Sequence, residues 1–402
     1  MELGDEAVGA GRLTEIGAER VRTPMQDSRT VPVSRPAGAG GGFALPQFAG
    51  QALRPQDRAL APAPEYVRAG RRMVDSHGRT IRDLRISITD RCNFRCVYCM
   101  EPDVRFAPPE TLLTVDEIVR VAAIAESLGV RKIRLTGGEP TLHPRLADII
   151  TGLAGATDVE VALITNASLL SRDSLRAWKD AGLARLTISI DSLRPDRFAR
   201  LTRSTSSPAQ VIEGVQMSLD ERLTPVKLNA VLIRGFNDDE AVELAALART
   251  FGVEMRFIEY MPLDSAHAWD SSKWVSAAET RGAIERVFPL IACDDDEPSS
   301  TARTFRFTDL PNDSPARVGF IAPVSTPFCG ACSRLRITAD GKVRPCLFST
   351  TEWDLRSPLR SGATDDELAD FMIDATWTKQ PGHGITSHGF VHPERPMSAI
   401  GG

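Results

Sequence analysis

No apolar run in this 402-residue chain approaches the roughly 20 residues needed to cross a bilayer, so no membrane partner is expected. The N-terminus also lacks a basic patch followed by the roughly 7 to 15 apolar residues of a secretory signal, which points to the cytoplasm. Positive charge is not in excess: 48 Lys and Arg stand against 53 Asp and Glu, a net charge of −5. That balance disfavours nucleic acid as the main partner, although local basic clusters stay open. Cysteine is scarce and odd in number, seven in all, which is not how a secreted disulfide framework is built. Six of them fall into two triplets and Cys293 stands apart, beside the acidic run Asp294 to Glu297, where it reads as a non-ligand thiol. In a reducing compartment such triplets point to metal.

What remains is ordinary for a soluble globular protein, with 42% hydrophobic and 25% charged residues and enough length for one large or two linked domains. Residues 1–72 are rich in Gly, Pro, Ala and Arg and read as a disordered extension, with Met73 an alternative start. From Leu84 strand-like and helix-like runs alternate. The strands are Leu84 to Asp90, Lys132 to Thr136, Val159 to Thr165, Leu186 to Asp191, Val226 to Ile233 and Met255 to Met261. Between them lie helical stretches such as Thr114 to Leu128, where Thr114 and Glu117 spell a capping box. Six β-α units in series imply parallel strands, hence an α/β fold of the incomplete (βα)6 TIM-barrel type over residues 73–290. Its chemistry belongs at the C-terminal ends of the strands. Residues 291–402 read as a smaller region of short strands and turn-rich, charged sequence laid against the barrel.

The first triplet, Cys92, Cys96 and Cys99, follows the first strand directly. A C-x₃-C-x₂-C loop can wrap one corner of a cubane iron–sulfur cluster, and three thiolates leave one iron without a protein ligand. Zinc with a fourth ligand from elsewhere is the alternative. The second triplet, Cys329, Cys332 and Cys346, has the spacing C-x₂-C-x₁₃-C, with His383 or His388 available to complete a zinc site.

With Tyr98 just before its third cysteine, the first triplet resembles the signature of the radical S-adenosylmethionine superfamily. Thr136-Gly137-Gly138-Glu139-Pro140, closing the second strand, belongs to the same pattern, its paired glycines letting backbone approach the cofactor. The resemblance implies a 4Fe–4S cluster on Cys92, Cys96 and Cys99, S-adenosylmethionine on its open iron, and cofactor contacts from Tyr98, Gly138, Ser189 and Met261. Two triplets, arginines at Arg334 and Arg336 and the ending Gly401-Gly402 together resemble the GTP 3′,8-cyclase family, which opens molybdenum cofactor biosynthesis. The likeness runs from about Asp75 to Gly402.

It implies a second 4Fe–4S cluster on Cys329, Cys332 and Cys346. It also implies a GTP site built from Arg85, Lys132, Arg134, Thr165, Lys227, Arg256, Arg334, Leu335 and Arg336, and a catalytic part for Gly401 and Gly402. A reductant and a downstream cyclic pyranopterin monophosphate synthase are the implied partners, with a homodimer left open. A peptide-modifying radical enzyme is the runner-up, and a non-catalytic protein with two metal sites is the reading from another class. One departure stands out: the family has Thr-Asn-Gly after the third strand, where this chain has Thr165-Asn166-Ala167, so a different local turn is expected there.

Overall fold

The computed structural model describes residues 61–263, 269–294 and 296–401. Ahead of the first strand lies a short helix, α1 (Glu65–Ala69). Residues 61–72, read from composition as part of an irregular extension, are therefore partly helical. The helix is too short to show a period, and what holds it is remote in sequence. Arg68 grips Asp374 with two hydrogen bonds of 3.0 and 2.8 Å, and Arg71 pairs with Asp366 and Asp370.

Alternation of apolar and polar residues makes the strands. In β1 (Asp83–Ser87) Leu84 and Ile86 are buried on one face while Asp83 and Arg85 take the other, and β2 (Lys132–Thr136) repeats this with Ile133 and Leu135 against Lys132 and Arg134. β3 (Glu160–Thr165), β4 (Arg185–Ser189), β5 (Lys227–Leu232) and β6 (Glu254–Glu259) follow, each parallel to its predecessor. The crossovers carry α2 (Val115–Ser127), α3 (Leu146–Ala156), α4 (Arg172–Asp180), α5 (Pro195–Thr202), α6 (Pro208–Asp220) and α7 (Ala241–Phe251). The capping box forms as read: Thr114 accepts from the Glu117 N–H, and Glu117 accepts from the Thr114 N–H at 2.8 Å. This is the expected six-unit α/β architecture.

The later strands do not form a separate layer. After α8 (Ala277–Glu285) come β7 (Leu290–Ala292), β8 (Arg303–Phe307), β9 (Arg317–Ile321), β10 (Arg334–Ile337), β11 (Lys342–Arg344) and β12 (Trp353–Asp354). All join one twelve-stranded sheet of order β12-β11-β10-β1-β2-β3-β4-β5-β6-β9-β8-β7. β10 runs parallel to β1 and β9 parallel to β6, so the six-stranded parallel core is extended on both sides by the C-terminal part of the chain. α9 (Arg356–Arg360) and α10 (Asp365–Trp377) follow.

The helix-facing side of the sheet is apolar. Leu84, Ile86, Ile133 and Leu135 pack with Ile118 and Val121 of α2 and with Leu368 and Met372 of α10. Leu228, Ala230, Met255 and Phe257 pack with Leu244 and Ala248 of α7 in a second cluster. Burying these side chains supplies roughly 1.5–3 kcal/mol each, which fixes the register and turns the charged residues of the same strands to the opposite face. No described helix is long and apolar enough to cross a membrane.

Candidate active site

β1 delivers the chain into the Cys92 to Cys99 loop. Cys99 and Met100 donate their N–H groups to Cys96 O at 2.9 and 3.2 Å, closing a tight turn, while Arg95 donates to Cys92 O at 2.6 Å and Phe94 O at 2.9 Å. The paired glycines after β2 serve this loop. A Cβ on Gly138 would lie 2.3 Å from Arg91 O, and one on Gly137 would lie 2.3 Å from Thr89 O. The protein's own backbone already makes a close approach that demands glycine at both positions. Gly138 N–H donates to Thr89 O at 2.8 Å and Glu139 N–H to Arg91 O at 2.7 Å, tying the cysteine loop to β2.

None of the seven cysteines is in a disulfide. Burial pushes the Cys92 thiol up to about 11 and Cys99 up to about 12, with Cys96 well above its ordinary value; Glu139 and Asp191 add to the effect. Thiols this hard to ionise hold protons in isolation and give them up to a metal, the usual coupling of thiolate ligation to deprotonation. Among the described residues no three His, Cys, Asp or Glu could hold a single metal ion.

The residues expected around S-adenosylmethionine stand at or beyond the C-terminal ends of β1, β2, β4 and β6. Tyr98 donates its hydroxyl to Asp191 Oδ2 at 2.6 Å, and Asp191 lies two residues beyond Ser189 of β4. Burial raises the Asp191 carboxyl to about 6. Tyr98 packs against the cluster of Leu201, Ile233 and Tyr260, the last of these the neighbour of Met261. Thr165, expected in the GTP set, is 2% exposed and donates its hydroxyl to Glu139 Oε1 at 2.7 Å. The turn after it keeps a left-handed conformation without glycine: Ala167 has φ 60°, at a cost of about 1–2 kcal/mol. Gly214 makes the room for it, since a Cβ there would lie 3.1 Å from the Ala167 methyl.

On the polar face, Arg336, Arg85 and Arg134 sit in register on β10, β1 and β2. No carboxylate pairs with any of them among the described residues, and the Nε atoms of Arg85 and Arg134 are buried without partners. Burial, then repulsion by Arg336, Arg134 and Arg334, pushes the Arg85 guanidinium well below its ordinary value; burial brings Arg134 down to about 10 and Arg336 to about 9. An arginine does not give up its proton under such pressure, so the site calls for an anion.

Next to them opens a cavity of about 780 Å³ lined by Lys132, Arg134, Lys227, Arg256 and Arg334, all from the expected set. Two carboxylates occupy its cations: Glu254 bridges Lys227 Nζ at 2.7 Å and Arg256, while Glu160 pairs with Lys132 at 3.6 Å and with Arg185. Leu335, also from the expected set, has its side chain fully buried with the helix-side core.

The second triplet sits at the β10 edge. Main-chain N–H of His383 reaches the Cys329 sulfur, and burial raises that thiol. Cys332 behaves oppositely: burial works upward, but the charges of Lys379 and Arg334 outweigh it and bring the thiol down to about 7. The tail joins the two triplets. Ser398 N–H donates to the Cys99 sulfur, Ile400 is fully buried, and Gly401 O accepts from Arg336 Nη1. Gly401 has φ 71°; Gly402 lies outside the described residues.

Sequence reasoning missed Arg185 and Glu254, which open β4 and β6 and line the cavity, because the apolar runs start one residue later. Arg317, likewise a lining residue, and the buried Lys379 carry no local signal at all.

Comparison with known proteins agrees with this layout. Residues 86–248 match the description Radical SAM superfamily, and residues 253–385 match Molybdenum Cofactor Synthesis C. A GTP 3′,8-cyclase of Streptomyces coelicolor is 46% identical over 332 residues, 82% of this chain and 96% of its own. One from Corynebacterium glutamicum is 43% identical over 86% of this chain and 92% of its own, and one from Pelotomaculum thermopropionicum 42% over 82% and 100%. Among solved structures, Streptococcus suis SuiB bound to S-adenosylmethionine superposes with a TM-score of 0.52 at 15% identity, covering 69% of this chain and 64% of that one. This last likeness concerns the fold alone.

Proposed function

We propose that the cation-lined barrel holds GTP between the two cysteine triplets, from the premise that this chain belongs to the GTP 3′,8-cyclase family of radical S-adenosylmethionine enzymes. The product is (8S)-3′,8-cyclo-7,8-dihydroguanosine 5′-triphosphate, the first intermediate on the way to molybdopterin. When bound, the cluster on Cys92, Cys96 and Cys99 with S-adenosylmethionine supplies a 5′-deoxyadenosyl radical, the species that starts this conversion. Tyr98, Gly138, Ser189 and Met261 line the cofactor's place at the strand ends. Cys329, Cys332 and Cys346 hold a second 4Fe–4S cluster facing the substrate.

The single observation that carries the reading is the row Arg336, Arg85, Arg134, buried, in register and without carboxylates. Three cations forced together in a net acidic protein are stabilised by a polyanion, and a triphosphate presents its oxygens to guanidinium forks bidentately. Arg85, Arg134, Arg334 and Arg336 grip the phosphates directly. Lys132, Lys227 and Arg256 are released to the substrate as Glu160 and Glu254 yield them. Thr165 contributes by fixing Glu139, and Leu335 by anchoring β10 so that its two flanking arginines face inward. Gly401 enters from the other side with the tail, and Gly401 and Gly402 take the catalytic part that the family resemblance gives them. Rate comes chiefly from holding the ribose against the radical source while water is kept out.

A cytoplasmic reductant and a separate cyclic pyranopterin monophosphate synthase complete the setting; a homodimer is compatible with it. The test is anaerobic incubation of the reconstituted chain with GTP, S-adenosylmethionine and dithionite, followed by mass analysis of the nucleotide. A cyclised GTP product is expected, and its absence from protein with full iron content would refute the reading.

A further inference from the structure

We infer that Lys379 is the fixed counter-charge of the second cysteine triplet, positioning its two loops and raising the reduction potential of the cluster seated there. The inference rests on the reading that this triplet holds a 4Fe–4S cluster.

Lys379 is only 2% exposed. Its ammonium donates to Arg334 O at 2.8 Å and to Pro345 O, so one side chain clamps the main chain two residues past Cys332 and the residue before Cys346. The mount is stiff: Lys379 follows the end of α10, donates its own N–H to Thr376 O at 3.0 Å, and that helix is anchored by Leu368, Met372 and Ile373, all fully buried. Of the other buried cations nearby, Arg79 and Arg344 have carboxylates, whereas Arg336 donates to Gly401 O. Arg79 pairs with Asp75 at 2.5 Å while holding Cys329 O at 2.8 Å, and Arg344 pairs with Glu352. Lys379 has none among the described residues.

An ammonium taken out of water is retained where it meets compensating negative charge. Here the ammonium stands between the main chain two residues past Cys332 and the residue before Cys346, and the thiolates of that triplet supply the charge. The first triplet has mixed surroundings, with Glu139 and Asp191 as anionic neighbours and Arg95 as a cationic one. Reduction of a cluster adds one electron and therefore one negative charge, which a neighbouring cation stabilises. The lysine thus makes the second cluster easier to reduce than its three thiolates alone would allow.

The test uses the full-length chain with the first triplet replaced, C92A/C96A/C99A, so that only the second site takes up iron, and compares it with K379M, K379Q and K379R in that background. Iron content and midpoint potential, the latter from dithionite titration followed by electron paramagnetic resonance, are measured on each. About four irons per chain in the parent establish the cluster; zinc or no iron there removes the premise rather than the role of the lysine. With the parent loaded, K379M and K379Q are expected to shift to lower potential and K379R to return towards the parent. Loss of iron in both neutral variants but not in K379R supports the counter-charge equally. Parent potentials in K379M or K379Q, or iron loss in all three, would overturn it.

Discussion

Replacing Gly401 by alanine should expel the tail from the barrel. The backbone there has φ 71°, which costs an alanine about 1–2 kcal/mol. The new Cβ would also lie 2.6 Å from Thr136 Oγ1 and 3.3 Å from Ser87 Cβ, both on strands too well packed to retreat. Relief by withdrawal breaks the hydrogen bond from the Arg336 guanidinium to Gly401 O, worth about 1.5–3 kcal/mol for a charged donor. At about 1.4 kcal/mol per factor of ten, the docked state loses on the order of 10²- to 10³-fold against the undocked one.

The assay is hydrogen exchange over residues 397–401 together with product formation per cluster. Faster exchange and a matching drop in turnover are expected, with iron content unchanged; deleting Gly401 and Gly402 is the limiting case. Adding Thr136→Ala removes the 2.6 Å contact but not the backbone strain, so it should restore docking only in part. Equal protection and equal turnover in Gly401→Ala would refute the reasoning.

Arg134→Met should weaken GTP binding by about 10- to 100-fold, as expected for lost charge-assisted hydrogen bonds, yet leave the ligand-free protein as stable as before or more so, because a buried unpaired charge is removed. Thermal melts with and without GTP check both signs; a lower ligand-free midpoint with an unchanged GTP shift would contradict the anion-site argument. Asp191 gives a pH prediction. Its folded value, about 6, lies above the unfolded one near 3.8, so the folded state binds the extra proton and stability falls as pH rises between these values. The full loss is about 3 kcal/mol for this buried group. Asp191→Asn should flatten that part of the stability curve, and an unchanged slope between pH 4 and 6 would argue against it.

The six parallel strands and the helices joining them were legible because each buries one face and leaves the other polar, a pattern that short windows of sequence carry. Where it failed, the cause was local. Arg185 and Glu254 open their strands with charged residues that look like loop until the partner strand supplies register. α10 was hidden although Thr364 and Glu367 spell a capping box as clear as that of α2, because charged residues at its start masked the apolar face.

The cysteines and the arginines were readable as residue types at a spacing. Their relation was not, since Arg336, Arg85 and Arg134 become neighbours only through two parallel pairings. Leu335 differs in kind: resemblance carries the position across, while alternation along β10 turns its side chain to the helix-side core. Lys379 acts through two main-chain carbonyls, and no residue pattern announces such a partner.

The pairing of β1 with β10 also orders how this protein can mature. Asp83 is bonded to Ser333 across 250 residues, at 2.6 Å. A growing chain therefore displays its first cysteine loop and six strands on the ribosome long before the strand that covers the free flank of β1 exists, and β9 covers the far border at β6 only shortly earlier. During that interval both sheet borders expose unpaired N–H and C=O groups, the template on which strands of other chains add. Contacts this distant also form slowly. The residues of the second triplet come together only at that closure, whereas the first cysteine loop is complete beforehand.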